Sequence, residues 1–102
     1  MDISTDGPTL YLSGDFDVRS TMEARNAIYE QLRGHEVDLV VDLTDVTTID
    51  LTALRLLAVA TRQASRDGHR LTLRGCGPAV RRMLTLSRLG RVMEVERETI
   101  SA

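Results

Sequence analysis

Val37-Asp38-Leu39-Val40-Val41-Asp42-Leu43 and, after a short polar segment, Asp50-Leu51-Thr52-Ala53-Leu54-Arg55-Leu56-Leu57-Ala58-Val59-Ala60 decide the fold. Leu39-Val40-Val41 is an unbroken, partly β-branched apolar run, the pattern of a strand covered on both faces. Thr44 to Asp50 is polar and predicts a loop. Asp50 is placed to cap a helix over residues 51–66, closed by Gly68. Its first half is apolar nearly all round, which predicts one buried side and a leftover apolar stripe of Leu51, Ala53, Leu56 and Ala60, with Arg55 and Arg62 beside it.

The same alternation extends outward in both directions. Upstream, Thr9-Leu10-Tyr11-Leu12-Ser13-Gly14 alternates as a strand and predicts an end at Gly14, with Asp15-Phe16-Asp17-Val18 as connector. Ser20-Thr21-Met22-Glu23 has the spacing of a capping box. The helix behind it carries Ala24, Ala27, Ile28 and Leu32 on one face and stops at Gly34. Residues 1–5 form a weak first strand, joined through the Asp6-Gly7-Pro8 turn. Downstream, Arg70-Leu71-Thr72-Leu73-Arg74 is a strand and Gly75-Cys76-Gly77 a turn. Pro78 suits a first helical position. The helix over 79–89 places Val80, Met83, Leu84 and Ser87 together, Gly90 ends it, and Val92-Met93-Glu94-Val95-Glu96 is a last strand before a polar tail. Strands alternating with helices at this spacing predict an α/β domain with a small mixed, largely parallel sheet and covering helices. At 102 residues the chain fits one domain over 1–102.

Composition narrows the function. Aromatics are 3%, too few for a base-stacking surface, and a net charge of −2 offers phosphate backbones or anionic lipids no bulk attraction. No direct nucleic-acid partner and no membrane insertion are expected, since no apolar run approaches the ~20 residues that span a bilayer. The single cysteine, Cys76, builds neither a disulfide framework nor a metal site, which suits a reducing cytoplasm. The start carries no basic and apolar secretory pattern.

Enzymatic chemistry has little support. Glycine-rich phosphate loops and a nucleophile elbow are missing from the sequence. His35 and His69 sit beside helix-ending glycines as turn residues. Cys76, between two glycines, reads as a small filler, with activation near a helix N-terminus as the alternative. Asp15 and Asp17 follow one predicted strand, Asp42 and Asp45 another, and Asp50 opens a helix. In a parallel sheet such positions gather at one edge, where binding sites form. The spacing fits no calcium loop, and each Asp also has an ordinary role in turns and caps. No cofactor or metal is expected.

Three segments together resemble the STAS domains. Gly14-Asp15-Phe16-Asp17 is similar to their glycine–acidic–hydrophobic–Asp signature. Val40-Val41-Asp42-Leu43 with Ile49-Asp50-Leu51-Thr52-Ala53-Leu54 resembles their strand and Asp-Ser-Ser/Thr-Gly-Leu motif. Pro78-Ala79-Val80-Arg81-Arg82-Met83-Leu84, followed by Leu86-Ser87-Arg88-Leu89, is similar to their last signature helix.

For a chain of this length the resemblance implies an anti-sigma factor antagonist. Such a domain binds an anti-sigma factor that is also a serine/threonine kinase and so frees a sigma factor. It is released when the kinase phosphorylates a hydroxyl at the start of the second main helix, and a phosphatase resets it. By position the phosphoacceptor is Thr52. The partner-binding set is Asp15, Asp17, Asp50, Leu51, Ala53, Arg55 and Leu56, the carboxylates repelling the phosphorylated state's partner or holding the Thr52 hydroxyl. The sequence departs from the motif at Leu51 and Ala53, where Ser and Gly are usual, and in having Thr as acceptor. The added methyl groups of Thr52 and Ala53 crowd a kinase's approach. Two alternatives stay open: a STAS scaffold or subunit of a signalling or lipid-transport complex that is not phosphorylated, and a small-ligand sensor using the Asp-lined edge. Homodimerisation is left open as well.

Overall fold

Leu39–Ile49 forms one eleven-residue strand that spans the molecule, starting two residues into the predicted strand and running on through the predicted loop as far as Ile49. This computed structural model describes residues 1–34 and 38–96; His35, Val37 and the tail from 97 onward lie outside the described residues. In chain order the elements are β1 (Asp2–Asp6), β2 (Thr9–Phe16), α1 (Thr21–Gly34), β3 (Leu39–Ile49), α2 (Leu51–Arg66), β4 (Leu71–Arg74), α3 (Pro78–Ser87), a 3₁₀ turn (Leu89–Arg91) and β5 (Glu94–Val95). The sheet order is β1-β2-β3-β4-β5. β1 pairs antiparallel with β2 through a tight Gly7-Pro8 turn, and every other neighbouring pair is parallel.

The loop expected over 44–50 is strand as far as Ile49 because β2 does not stop where predicted. Gly14 takes a left-handed φ of 92° and lets β2 kink rather than end. Beyond the register shifts on either side of it, Asp15 pairs with Thr48 and Phe16 with Ile49. The β-branched run Val46-Thr47-Thr48-Ile49 suits this extension, and the polar character of Asp45 and the threonines concealed it.

Leu10, Leu12, Val41, Leu43, Leu71 and Leu73 share one face of the sheet and are buried there. α1, α2 and α3 form a single layer, with α2 packed against both of the others. Among the described residues the helices cover one sheet face, so β3 is not enclosed by them on both sides. Val40 is half-buried on the open face, beside Thr9 and Thr72 in register. Burying ~25 cal/mol per Å2 of apolar surface drives this two-layer packing, and one core cluster joins the sheet to all three helices.

Smaller departures have local causes. The Ser20 hydroxyl does not form a capping box with Glu23. It turns back, accepts from the Asp17 N–H at 3.1 Å and lies 3.1–3.2 Å from the Asp15 and Asp17 carbonyls, bracing the connector. On α1, Gln31 rather than Leu32 is buried, its amide donating to the Gly7 carbonyl at 2.9 Å. α3 ends at Ser87, before Gly90, because Arg88 takes the left-handed conformation at φ 63°. Gly75, at φ 70°, lies so close to Thr44 that a β-carbon there would overlap it, which explains the glycine after β4.

Candidate functional site

β2 and β3 end side by side, and three carboxylates gather where they do. The backbone N–H of Asp50 donates to the Phe16 carbonyl at 3.2 Å, which fixes the end of β3 to the end of β2. The Asp50 side chain then accepts twice. Oδ1 takes the Ala53 N–H at 2.8 Å and caps α2; Oδ2 takes the Val18 N–H at 3.0 Å and holds the connector into α1. One carboxylate therefore ties β2, α1 and α2 together.

The neighbouring acids are equally occupied. Asp15 Oδ1 accepts from the hydroxyls of Thr48 at 2.8 Å and Thr47 at 2.9 Å, and those two bonds hold its carboxyl below the usual range. Asp17 binds Arg19 through the guanidinium, Nη2 to Oδ2 at 2.8 Å, and through the Arg19 N–H at 2.9 Å; its carboxyl is likewise lowered, chiefly by the guanidinium. Neither Asp15, Asp17 nor Asp50 holds the Thr52 hydroxyl. Thr52 is exposed in the first turn of α2, and among the described residues its hydroxyl has no hydrogen-bond partner. Asp50 already takes the Ala53 N–H with its carboxylate and the Leu54 N–H with its carbonyl, and the helix dipole favours negative charge at this end.

The rest of the expected set divides by burial. Leu51 and Arg55 are exposed beside Thr52, and Leu56 is half-buried against the core. Ala53 is fully buried, so it supplies no docking surface, and its methyl group points into the core rather than toward an approaching enzyme. Ala60 is buried in the same way. The predicted apolar stripe is thus mostly core, because α2 is the middle helix of its layer and α1 and α3 cover both its flanks. Its solvent side is instead Leu51, Thr52, Arg55, Val59, Arg62, Ser65 and Arg66. Val59 and Arg66 were not among the expected residues, although the spacing 52, 55, 59, 62, 66 was readable as one helical stripe.

Asp42 and Asp45 do not join the cluster. Asp42 lies mid-strand on the open sheet face, in register with Tyr11 and Arg74. Arg74 Nε donates to its Oδ2 at 2.9 Å, and the Thr44 N–H to its Oδ1 at 2.9 Å. Burial pushes the Asp42 carboxyl up, and Thr44 and Arg74 together outweigh that and hold it low. Among the described residues no three His, Cys, Asp or Glu side chains converge as metal ligands. Cys76 is buried, and burial raises its thiol pKa, which removes the activated-thiol alternative. Two clefts lie away from the Asp-lined edge: one of about 810 Å3 that includes Asp38, Arg62, His69 and Glu94, and one of about 540 Å3 that includes Arg81, Arg88 and Val95. Among the described residues no helix is long and apolar enough to cross a membrane.

Comparison with known proteins agrees with this architecture. The family model described as "Mlab, STAS domain" matches residues 1–95. A STAS-domain containing protein of Pseudomonas aeruginosa is 30% identical over 94 residues, covering 90% of this chain and 92% of that protein. Among solved structures, an anti-sigma factor antagonist from Mycobacterium paratuberculosis superposes with a TM-score of 0.80 at 20% identity, over 95% of this chain and 84% of that one. The Bacillus cell fate determinant SpoIIAA in its phosphorylated form gives 0.68 at 19% identity, over 95% and 91%. At such identities the two structures speak for the fold alone. With the family match spanning nearly its whole length, this chain belongs to the STAS-domain family.

Proposed function

We propose that the protein is an anti-sigma factor antagonist, a binding switch whose partner is an anti-sigma factor with serine/threonine kinase activity and whose release is triggered by phosphorylation of Thr52. The observation that carries this is the Thr52 side chain itself: exposed, unbonded among the described residues, and set at a capped helix N-terminus. In the reaction, Thr52 Oγ1 attacks the γ-phosphorus of ATP, the bond to ADP breaks, and the hydroxyl proton leaves to a base of the kinase. The phosphate adds about −1.5 to −2 charges at pH 7. The helix end tolerates that charge, whereas a docked partner does not: like charges across an interface cost several kcal/mol, and ~1.4 kcal/mol is tenfold in affinity. A phosphatase returns the domain to its binding state. The buried methyl of Ala53 leaves the approach to Thr52 open, which removes one of the two crowding groups seen in the sequence. The solved SpoIIAA structure in a phosphorylated form lends support by analogy of fold.

The test combines mass and affinity. Purified protein is incubated with ATP and each candidate anti-sigma kinase of its own genome, and the intact mass and phosphosite are determined. Phosphate on Thr52, binding retained in Thr52→Ala, and binding weakened roughly tenfold in Thr52→Glu are expected. Equal affinity of the two variants refutes the switch. Stable binding without phosphate transfer would instead mean a locked antagonist, and neither phosphate nor binding would favour the scaffold or sensor readings.

A further inference from the structure

α2 is one of two basic helical stretches of the chain, the other being α3 and the turn after it, with Arg81, Arg82, Arg88 and Arg91. α2 holds three arginines, Arg55, Arg62 and Arg66, and no acidic residue, in a protein of net charge −2, so the remainder carries −5. All three are exposed, and among the described residues none pairs with a carboxylate; the ion pairs formed there are Arg19–Asp17, Arg70–Glu94 and Arg74–Asp42. With 100° per residue, Thr52, Arg55, Val59, Arg62 and Arg66 fall within roughly 80° of arc and run ~21 Å along the helix. Apolar side chains are set into this stripe: Leu51 is 37% exposed and Val59 58%. At its head Val18, 63% exposed, is tied to Asp50. The nearby carboxylates of Asp15, Asp17 and Asp50 bind Thr47, Thr48, Arg19 and the helix cap, and among the described residues none of them forms an ion pair with these guanidiniums.

We infer that this stripe is the docking face for an acidic protein surface, and that Arg55 is the residue through which a phosphate on Thr52 disables it, resting on the acceptor role proposed for Thr52. Charge complementarity selects the occupant. Guanidiniums recognise carboxylates bidentately, and the interspersed Leu51 and Val59 add apolar contact suited to a protein partner. A membrane is disfavoured because the apolar side of α2 is already buried in the core. Arg55 is one turn beyond Thr52, at i+3, where side chains meet. A phosphate there would pair with Arg55 and lower the stripe's charge from +3 to about +1.

The experiment measures affinity for each candidate anti-sigma kinase at ~50 and ~300 mM salt, using wild type, R62E/R66E, T52E, R55A and T52E/R55A. These positions are exposed, and melting curves verify folding. R62E/R66E is expected to weaken binding roughly tenfold or more and to abolish the salt dependence of wild type. The T52E penalty is expected to shrink in the R55A background, as a coupled pair requires. If R62E/R66E binds like wild type while T52E does not, the docking face falls and the switch stands. If R62E/R66E loses binding while T52E does not, the switch falls and the acidic-partner face stands. An undiminished T52E penalty in R55A overturns the part given to Arg55. Sedimentation with phosphatidylglycerol vesicles, lost in R62E/R66E, in place of kinase binding would replace the protein partner by a membrane and overturn the inference, as would binding to no candidate at all.

Discussion

Asp50 does two jobs with one carboxylate, capping α2 and holding the Val18 N–H, and substitution tests them. Asp50→Ala removes the α2 cap, a loss of about 1 kcal/mol and up to ~2, and also frees the Val18 N–H. Asp50→Asn keeps one acceptor oxygen and is expected to fall between wild type and Asp50→Ala in chemical denaturation. Asp42 governs a different property. Its carboxyl is held below its ordinary 3.8 in the folded state, the net of burial opposing and Thr44 and Arg74 favouring ionisation. A lowered folded pKa stabilises above the unfolded pKa, and that contribution is lost as pH falls through the folded value. Asp15 and Asp17 share the sign. Melting temperature should therefore drop as pH goes from about 5 to about 2.5, and Asp42→Asn should start lower at neutral pH but lose less over that interval.

At the level of elements, α2 shows which parts of a helix a sequence discloses. Its bounds, its Asp50 cap and its apolar excess were legible from 51 to 66, and all follow from local chemistry. Which apolar residues stayed at the surface was not legible, because that depends on α2 lying between two other helices. Periodicity ranks faces; it does not count neighbours. The same limit applies to β3, whose second half became a strand only because β2 kinked at Gly14 and continued alongside. The carboxylates illustrate the converse. Asp15, Asp17 and Asp50 could be placed at one edge from topology, but their engagement by Thr47, Thr48 and Arg19 needs the register of the strand ends. Two substitutions on α2 separate core from surface. Leu57→Ala, at a fully buried position, is expected to cost ~2–5 kcal/mol in denaturant unfolding. Val59→Ala, on the solvent stripe, is expected to stay within about 0.5 kcal/mol.

On the scale of the whole molecule, the two-layer plan places the proposed site at one end and on one helix, while the far sheet face carries contacts such as those among Tyr11, Asp42 and Arg74. The strand order has a further consequence. Each strand's partner is the next one made, so no strand must wait for a distant segment of chain. Each parallel pairing closes over a single intervening α-helix. A ribosome delivering this chain N-terminus first would supply β1, β2 and β3 in the sequence in which they pair, and β4, the strand that α2 packs against, directly after α2 itself.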